Sequence, residues 1–70
     1  MLRGVVTSSS LLSVGYDGES ETLEVEFRNG HVYRYDGVPR ELYDGLRTSQ
    51  SKGAYFNERI RDAFLGIRLR

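Results

Sequence analysis

Apolar and polar positions alternate most cleanly from Thr22 to Arg28, with Leu23, Val25 and Phe27 on one side and Thr22, Glu24, Glu26 and Arg28 on the other. A period of two is that of a half-buried strand. Asn29-Gly30 follows as a strong hairpin signal, and His31-Val32-Tyr33-Arg34-Tyr35 is the return strand. Upstream, Leu11–Tyr16 is rich in strand formers, with Gly15 where a bulge or close approach fits, and Asp17–Glu21 is a polar turn. Beyond the hairpin the regime changes at Gly37-Val38-Pro39. Proline suits the first turn of a helix, and Leu42, Tyr43 and Leu46 then share one side. This predicts a helix from Arg40 to Leu46, kept short by Gly45, which costs about 1 kcal/mol relative to alanine. Thr48–Ser51 is a polar joint. Phe56, Ile60, Ala63, Phe64 and Ile67 recur at i, i+4, i+7, i+8 and i+11, predicting a second, amphipathic helix over Lys52–Phe64. Gly66 stops it, and Ile67–Arg70 admits a short fourth strand. The fold class is α+β: one domain over residues 1–70, a three-stranded antiparallel sheet packed against two C-terminal helices.

The hairpin register decides where two tyrosines go. A two-residue turn at Asn29-Gly30 sets Phe27 against Val32 and turns Tyr33 and Tyr35 away from Leu23, Val25 and Phe27. A three-residue loop, Arg28-Asn29-Gly30 with Gly30 left-handed, pairs Phe27 with His31, Val25 with Tyr33 and Leu23 with Tyr35. A slip of one residue moves the whole set. The three-residue loop is favoured, because the alternative places Arg34 and Asp36 on the buried face, which costs several kcal/mol per unpaired charge. The expected core is then Leu23, Val25, Phe27, Tyr33, Tyr35, Phe56, Ile60 and Phe64. Aromatic pairs on a sheet also stack bases in some RNA-binding modules. Here the tyrosines are either buried or set beside Glu24 and Glu26, so the core reading is preferred.

Composition narrows the function. Seventy residues without cysteine exclude disulfides, thiolate metal sites and cysteine nucleophiles, and a single histidine does not make a zinc site. Ser8-Ser9-Ser10 lacks a base at a defined offset, and there is no glycine-rich phosphate loop, metal-ligand spacing or dinucleotide fingerprint. The expectation is a non-catalytic domain with no cofactor, no metal and no small-molecule substrate. The N-terminal segment has no apolar core of a signal peptide, and no stretch spans a bilayer, so the expected location is cytoplasmic, away from membranes.

The formal net charge of zero conceals a division. Residues 1–30 hold two basic and five acidic side chains, a balance of −3, and residues 31–70 hold eight basic and five acidic, a balance of +3. The pattern suggests an acidic hairpin face and a basic helical half, which suits docking to an anion through one side. Lys52, Tyr55 and Arg59 at i, i+3 and i+7 form a stripe on the second helix, and Ser51-Lys52-Gly53 stands where its first N–H groups could receive a phosphate. Arg47, Arg40 and Arg61 extend the candidate surface. The competing reading is ordinary solvated pairing, Arg59 with Asp62 and Arg61 with Glu58, each worth well under 1 kcal/mol.

Several segments in order resemble one family: Val6-Thr7-Ser8-Ser9, Val14-Gly15-Tyr16-Asp17, Phe27-Arg28-Asn29-Gly30, Tyr33-Arg34-Tyr35, Gly37-Val38-Pro39, Ser51-Lys52-Gly53, Tyr55-Phe56-Asn57 and Ile60-Arg61. Together they resemble the KTSC domain, named for its occurrence at the C-terminus of some lysyl-tRNA synthetases and also found as a free-standing bacterial or phage protein. The resemblance implies an accessory domain that binds RNA, and it supplies no residue-level site. Ser8, Ser9 and Asp17 are read as strand-entry and turn hydrogen-bonders. Two functions stand: RNA binding through the arginine-rich helical side, or pairing with a protein partner or a second copy, in which an open sheet edge would serve.

Overall fold

The structure, a computed structural model, describes residues 3–70. Its strands are β1 (Gly4–Val5), β2 (Leu11–Asp17), β3 (Thr22–Phe27), β4 (Val32–Asp36) and β5 (Gly66–Arg68), and its helices are α1 (Arg40–Thr48) and α2 (Lys52–Arg59). The strands form one antiparallel sheet in the order β1-β2-β3-β4-β5, with both helices inserted between β4 and β5. The α+β class holds, but the sheet has five strands rather than three or four. β1 has only two residues, too few for any period to show, and β5 exists because the chain returns alongside β4.

The hairpin adopts the three-residue loop. Leu23 pairs with Tyr35 and Val25 with Tyr33, Gly30 N–H donates to Phe27 O at 3.0 Å, and Gly30 has φ +94°. A positive φ costs glycine little, which is what lets the loop close in this register. A bulge in β2 between Leu11 and Ser13 then brings Leu11 opposite Phe27 and Val14 opposite Val25. One face of the sheet carries Leu11, Val14, Leu23, Val25 and Tyr35, which close with Val38, Leu46, Phe56 and Ile60 into the buried core. Phe27, Tyr33 and Phe64, expected in the core, are only half-buried and pack against its edge.

The second helix ends at Arg59, five residues before its expected end. Ile60 leaves helical geometry at φ −121°, Arg61 N–H reaches back to Phe56 O at 2.9 Å, and a turn through Phe64 follows. Of the expected apolar stripe, Phe56 and Ile60 are buried and Phe64 half-buried, but Ala63 is exposed and Ile67 belongs to β5. α1 runs to Thr48, two residues past the expected Leu46, and Gly45 is accommodated because the Tyr55 ring packs against its backbone.

The outer face of the sheet is not the acidic surface that the charge division suggests. Continuing the β1–β2 register places Arg3 over Gly15, and Arg3 is ion-paired to Glu24 and donates to Ser13 Oγ at 3.2 Å. Ser13 Oγ donates to Glu26 Oε1 at 2.8 Å, and Arg70 reaches Glu26 Oε2 at 2.9 Å. Arg34 lies 3.3 Å from Asp36. Arg3 and Arg70, from opposite ends of the chain, and Arg34 within β4 thus pair with Glu24, Glu26 and Asp36.

Gly66 pairs with Tyr35, and a methyl group there would lie 2.6 Å from Tyr35 Cε1, a ring locked in the core. Gly66→Ala is expected to lower stability by about 1–3 kcal/mol in urea denaturation, as overpacking does. Gly4→Ala, whose new methyl would meet nothing within 4 Å, serves as the neutral control.

Candidate functional site

Six residues were singled out from sequence, and the structure distributes them over four places. On α1, Arg40, Tyr43 and Arg47 stand at i, i+3 and i+7, the same spacing as Lys52, Tyr55 and Arg59 on α2. The Tyr43 ring stacks on Tyr16 of β2, with centroids 4.7 Å apart and planes at 8°. Arg40 lies over Tyr16 at 5.8 Å and Arg47 over Tyr43 at 5.9 Å, so two guanidiniums bracket two phenols. Arg59 lies over Tyr55 at 5.7 Å. An arginine held on a ring keeps its N–H edge free for a planar anion while losing little rotamer freedom on binding. The repeated spacing on α1 was a legible signal, but its partner ring, Tyr16, is distant in sequence.

Lys52, at the start of α2, and Arg61, just past its end, each border a cleft. Lys52 Nζ donates to Ser49 O at 2.9 Å and borders a polar cleft of about 310 Å³ formed with Ser8, Ser9, Ser10 and Ser51. Ser8 has the strand-entry role expected of it, its Oγ accepting from the N–H of Ser10 and of Leu11 at 3.1 and 3.2 Å. Asp17 likewise accepts from Glu19 N–H in its turn at 3.1 Å. Arg61 borders a second cleft of about 300 Å³, walled by Phe27, Tyr33, Tyr35 and Phe56 and rimmed by Asn29, His31 and Asn57. Asn57 lines both clefts. The aromatic cleft was missed from sequence, because β3, β4, the hairpin loop and α2 must come together to form it.

Among the described residues, the cations divide by pairing. Arg3, Arg34 and Arg70 are ion-paired on the outer sheet face, and Arg47 lies 3.5 Å from Asp44. Arg40, Lys52, Arg59 and Arg61 have no carboxylate within ion-pair distance, nor do Arg28 and Arg68. The anticipated pairs of Arg59 with Asp62 and Arg61 with Glu58 do not form. Both depended on helical spacing, and the helix ends at Arg59. No group of three metal-ligating side chains occurs among the described residues, and no helix there is long and apolar enough to cross a membrane.

The KTSC domain profile matches residues 7–64. The chain belongs to the KTSC domain family. It superposes with a TM-score of 0.93 and 37% identity on the crystal structure of a KTSC domain protein from Yersinia pestis, covering 99% of this chain and 97% of that one. An uncharacterized protein of Stutzerimonas stutzeri is 48% identical over 58 residues, 83% of this chain and 82% of its own. A lysine–tRNA ligase of Nostoc punctiforme is 36% identical over 56 residues, which is 80% of this KTSC domain but only 10% of the ligase.

Tyr16 and Tyr35 both have pKa values raised above the ordinary 10.0, in each case chiefly by loss of hydration. Tyr16 also donates its hydroxyl to Val38 O at 2.6 Å, a bond that ionisation removes. A raised folded-state pKa contributes stability that is complete below the unfolded value and is lost as pH rises through the folded one. Unfolding at alkaline pH is therefore expected to steepen above about pH 10. Phenolate absorbance in the native protein should show a late-titrating component that Tyr16→Phe and Tyr35→Phe each diminish.

Proposed function

We propose that this KTSC domain is a non-catalytic accessory module that binds RNA through its helical side, where Arg40, Lys52, Arg59 and Arg61 meet phosphates. The observation carrying this reading is the division of cations by pairing: carboxylates neutralise the outer sheet face, whereas these four cations have none in reach. Glu41, Glu58 and Asp62 share the helical half without engaging them. Unpaired cations of this kind supply the sequence-independent part of nucleic-acid affinity. The likeness to a segment of lysine–tRNA ligases supports an RNA as the anion. Stacked arginines suit single-stranded or looped RNA, whose bases and phosphates are both accessible.

A second reading, self-association by strand addition, has one observation in its favour: Leu65 is 79% and Leu69 48% exposed beside the open edge of β5. Sedimentation at raised protein concentration separates the two, since strand addition requires a dimer without RNA.

With four phosphate contacts to a single strand, log K should fall against log salt with a slope of about −3. Arg40→Glu combined with Arg59→Glu should weaken binding at least tenfold and make the slope shallower by about 1.4. Filter binding of single-stranded RNA and tRNA over a salt series measures both quantities. Absence of any binding at low salt would refute the RNA reading.

A further inference from the structure

We infer that the aromatic cleft between the β3–β4 hairpin and α2 is a subsite for one unpaired nucleobase, with the adjoining phosphate held by Arg61. The inference rests on the RNA reading and goes beyond it, because phosphate contacts alone need no cleft. At about 300 Å³ the space is at the lower end of small-ligand sites, sized for one nucleotide and too small for a duplex.

Its walls are aromatic. Tyr33 is half-buried, stacked on Tyr35 at 6.3 Å and 22°, and lines the cleft. Phe56 closes the back, edge-on to both Phe27 and Tyr35 at 5.4 Å. Such a box resists collapse, because each ring is braced by another. The two sheet tyrosines are therefore neither wholly buried nor displayed among carboxylates: Tyr35 completes the core, and Tyr33 stands between the core and the cleft.

The rim supplies polar readout. Asn29 Oδ1 is engaged by His31 N–H at 3.0 Å, which leaves the Asn29 amide N–H groups to donate. Asn57 is exposed on α2, and its side chain forms no hydrogen bond among the described residues, so a whole carboxamide is free to donate and accept. A carboxamide pairs naturally with the donor–acceptor edge of a base. Arg61 stands on the same rim, and among the described residues it is the one arginine or lysine that lines the cleft and no carboxylate does. An aromatic floor, amide edges and one cation match a nucleotide. A purely apolar ligand would leave the rim unpaired, and a bare phosphate would leave the rings unused.

The test follows side-chain amide and aromatic resonances while 5′-nucleoside monophosphates, inorganic phosphate and a short single-stranded oligoribonucleotide are titrated in turn. Nucleoside monophosphates should shift the Asn29 and Asn57 amides and the Tyr33 and Phe56 rings, and inorganic phosphate should not. Asn57→Ala, an exposed helical position where alanine does not impair folding, should weaken oligonucleotide binding about tenfold while leaving the salt slope and the melting temperature unchanged. If the oligonucleotide binds while the cleft resonances stay fixed and Asn57→Ala behaves as wild type, the subsite is overturned and the phosphate-binding reading survives. If monophosphates shift the cleft but no oligonucleotide binds, the subsite stands and the RNA reading fails.

Discussion

Gly30 closes the β3–β4 loop with a left-handed backbone, and through that one conformation the hairpin register is set. With three residues in the loop, Val25 meets Tyr33 and Leu23 meets Tyr35, so every aromatic of the hairpin lies on the side that the helices cover. A domain of 8.0 kDa has little apolar surface to spare, and the other register would have divided it between two faces. The core of Leu11, Val14, Leu23, Val25, Val38, Leu46, Phe56 and Ile60 follows from this arrangement. So does the cleft at its margin, because Phe27 and Tyr33 continue the apolar face past the point where α2 ends.

The same register organises the charges. With Glu24 and Glu26 on the outer face, Arg3, Arg34 and Arg70 are drawn to that side, two of them from opposite ends of the chain. These pairs are partly exposed and add little stability individually. Their larger effect is on distribution, since they offset Glu24, Glu26 and Asp36 on that face. The helical side keeps cations that no carboxylate answers, two of them, Arg40 and Arg59, laid over tyrosine rings. A neutral protein can in this way present a directional surface.

A second consequence comes from the early end of α2. Had the helix continued to Phe64, Arg59 and Arg61 would each have stood three residues from a carboxylate on a regular face. The turn at Ile60 breaks that spacing, buries Ile60 completely and brings Arg61 to the rim of the aromatic cleft. A packing requirement at one side chain thereby determines which cations are free.

Local pattern was enough to fix β2, β3, β4, the tight loop at Gly30 and the start of both helices, because alternation, a glycine at a turn and a proline before a helix act within a few residues. It also placed Leu23, Val25, Tyr35, Phe56 and Ile60 inside, since each belongs to a periodic stripe. Tertiary structure alone decided β1, whose two residues become a strand only by pairing with β2, and it set the short closing strand that alternation allowed at Ile67–Arg70 to Gly66–Arg68. It alone decided the end of α2, the stacking of Tyr43 on Tyr16, the neutralisation of the hairpin carboxylates and the aromatic cleft. Each of these joins residues far apart in the chain, and the energy that settles them comes from contacts that exist only after the sheet and helices have met.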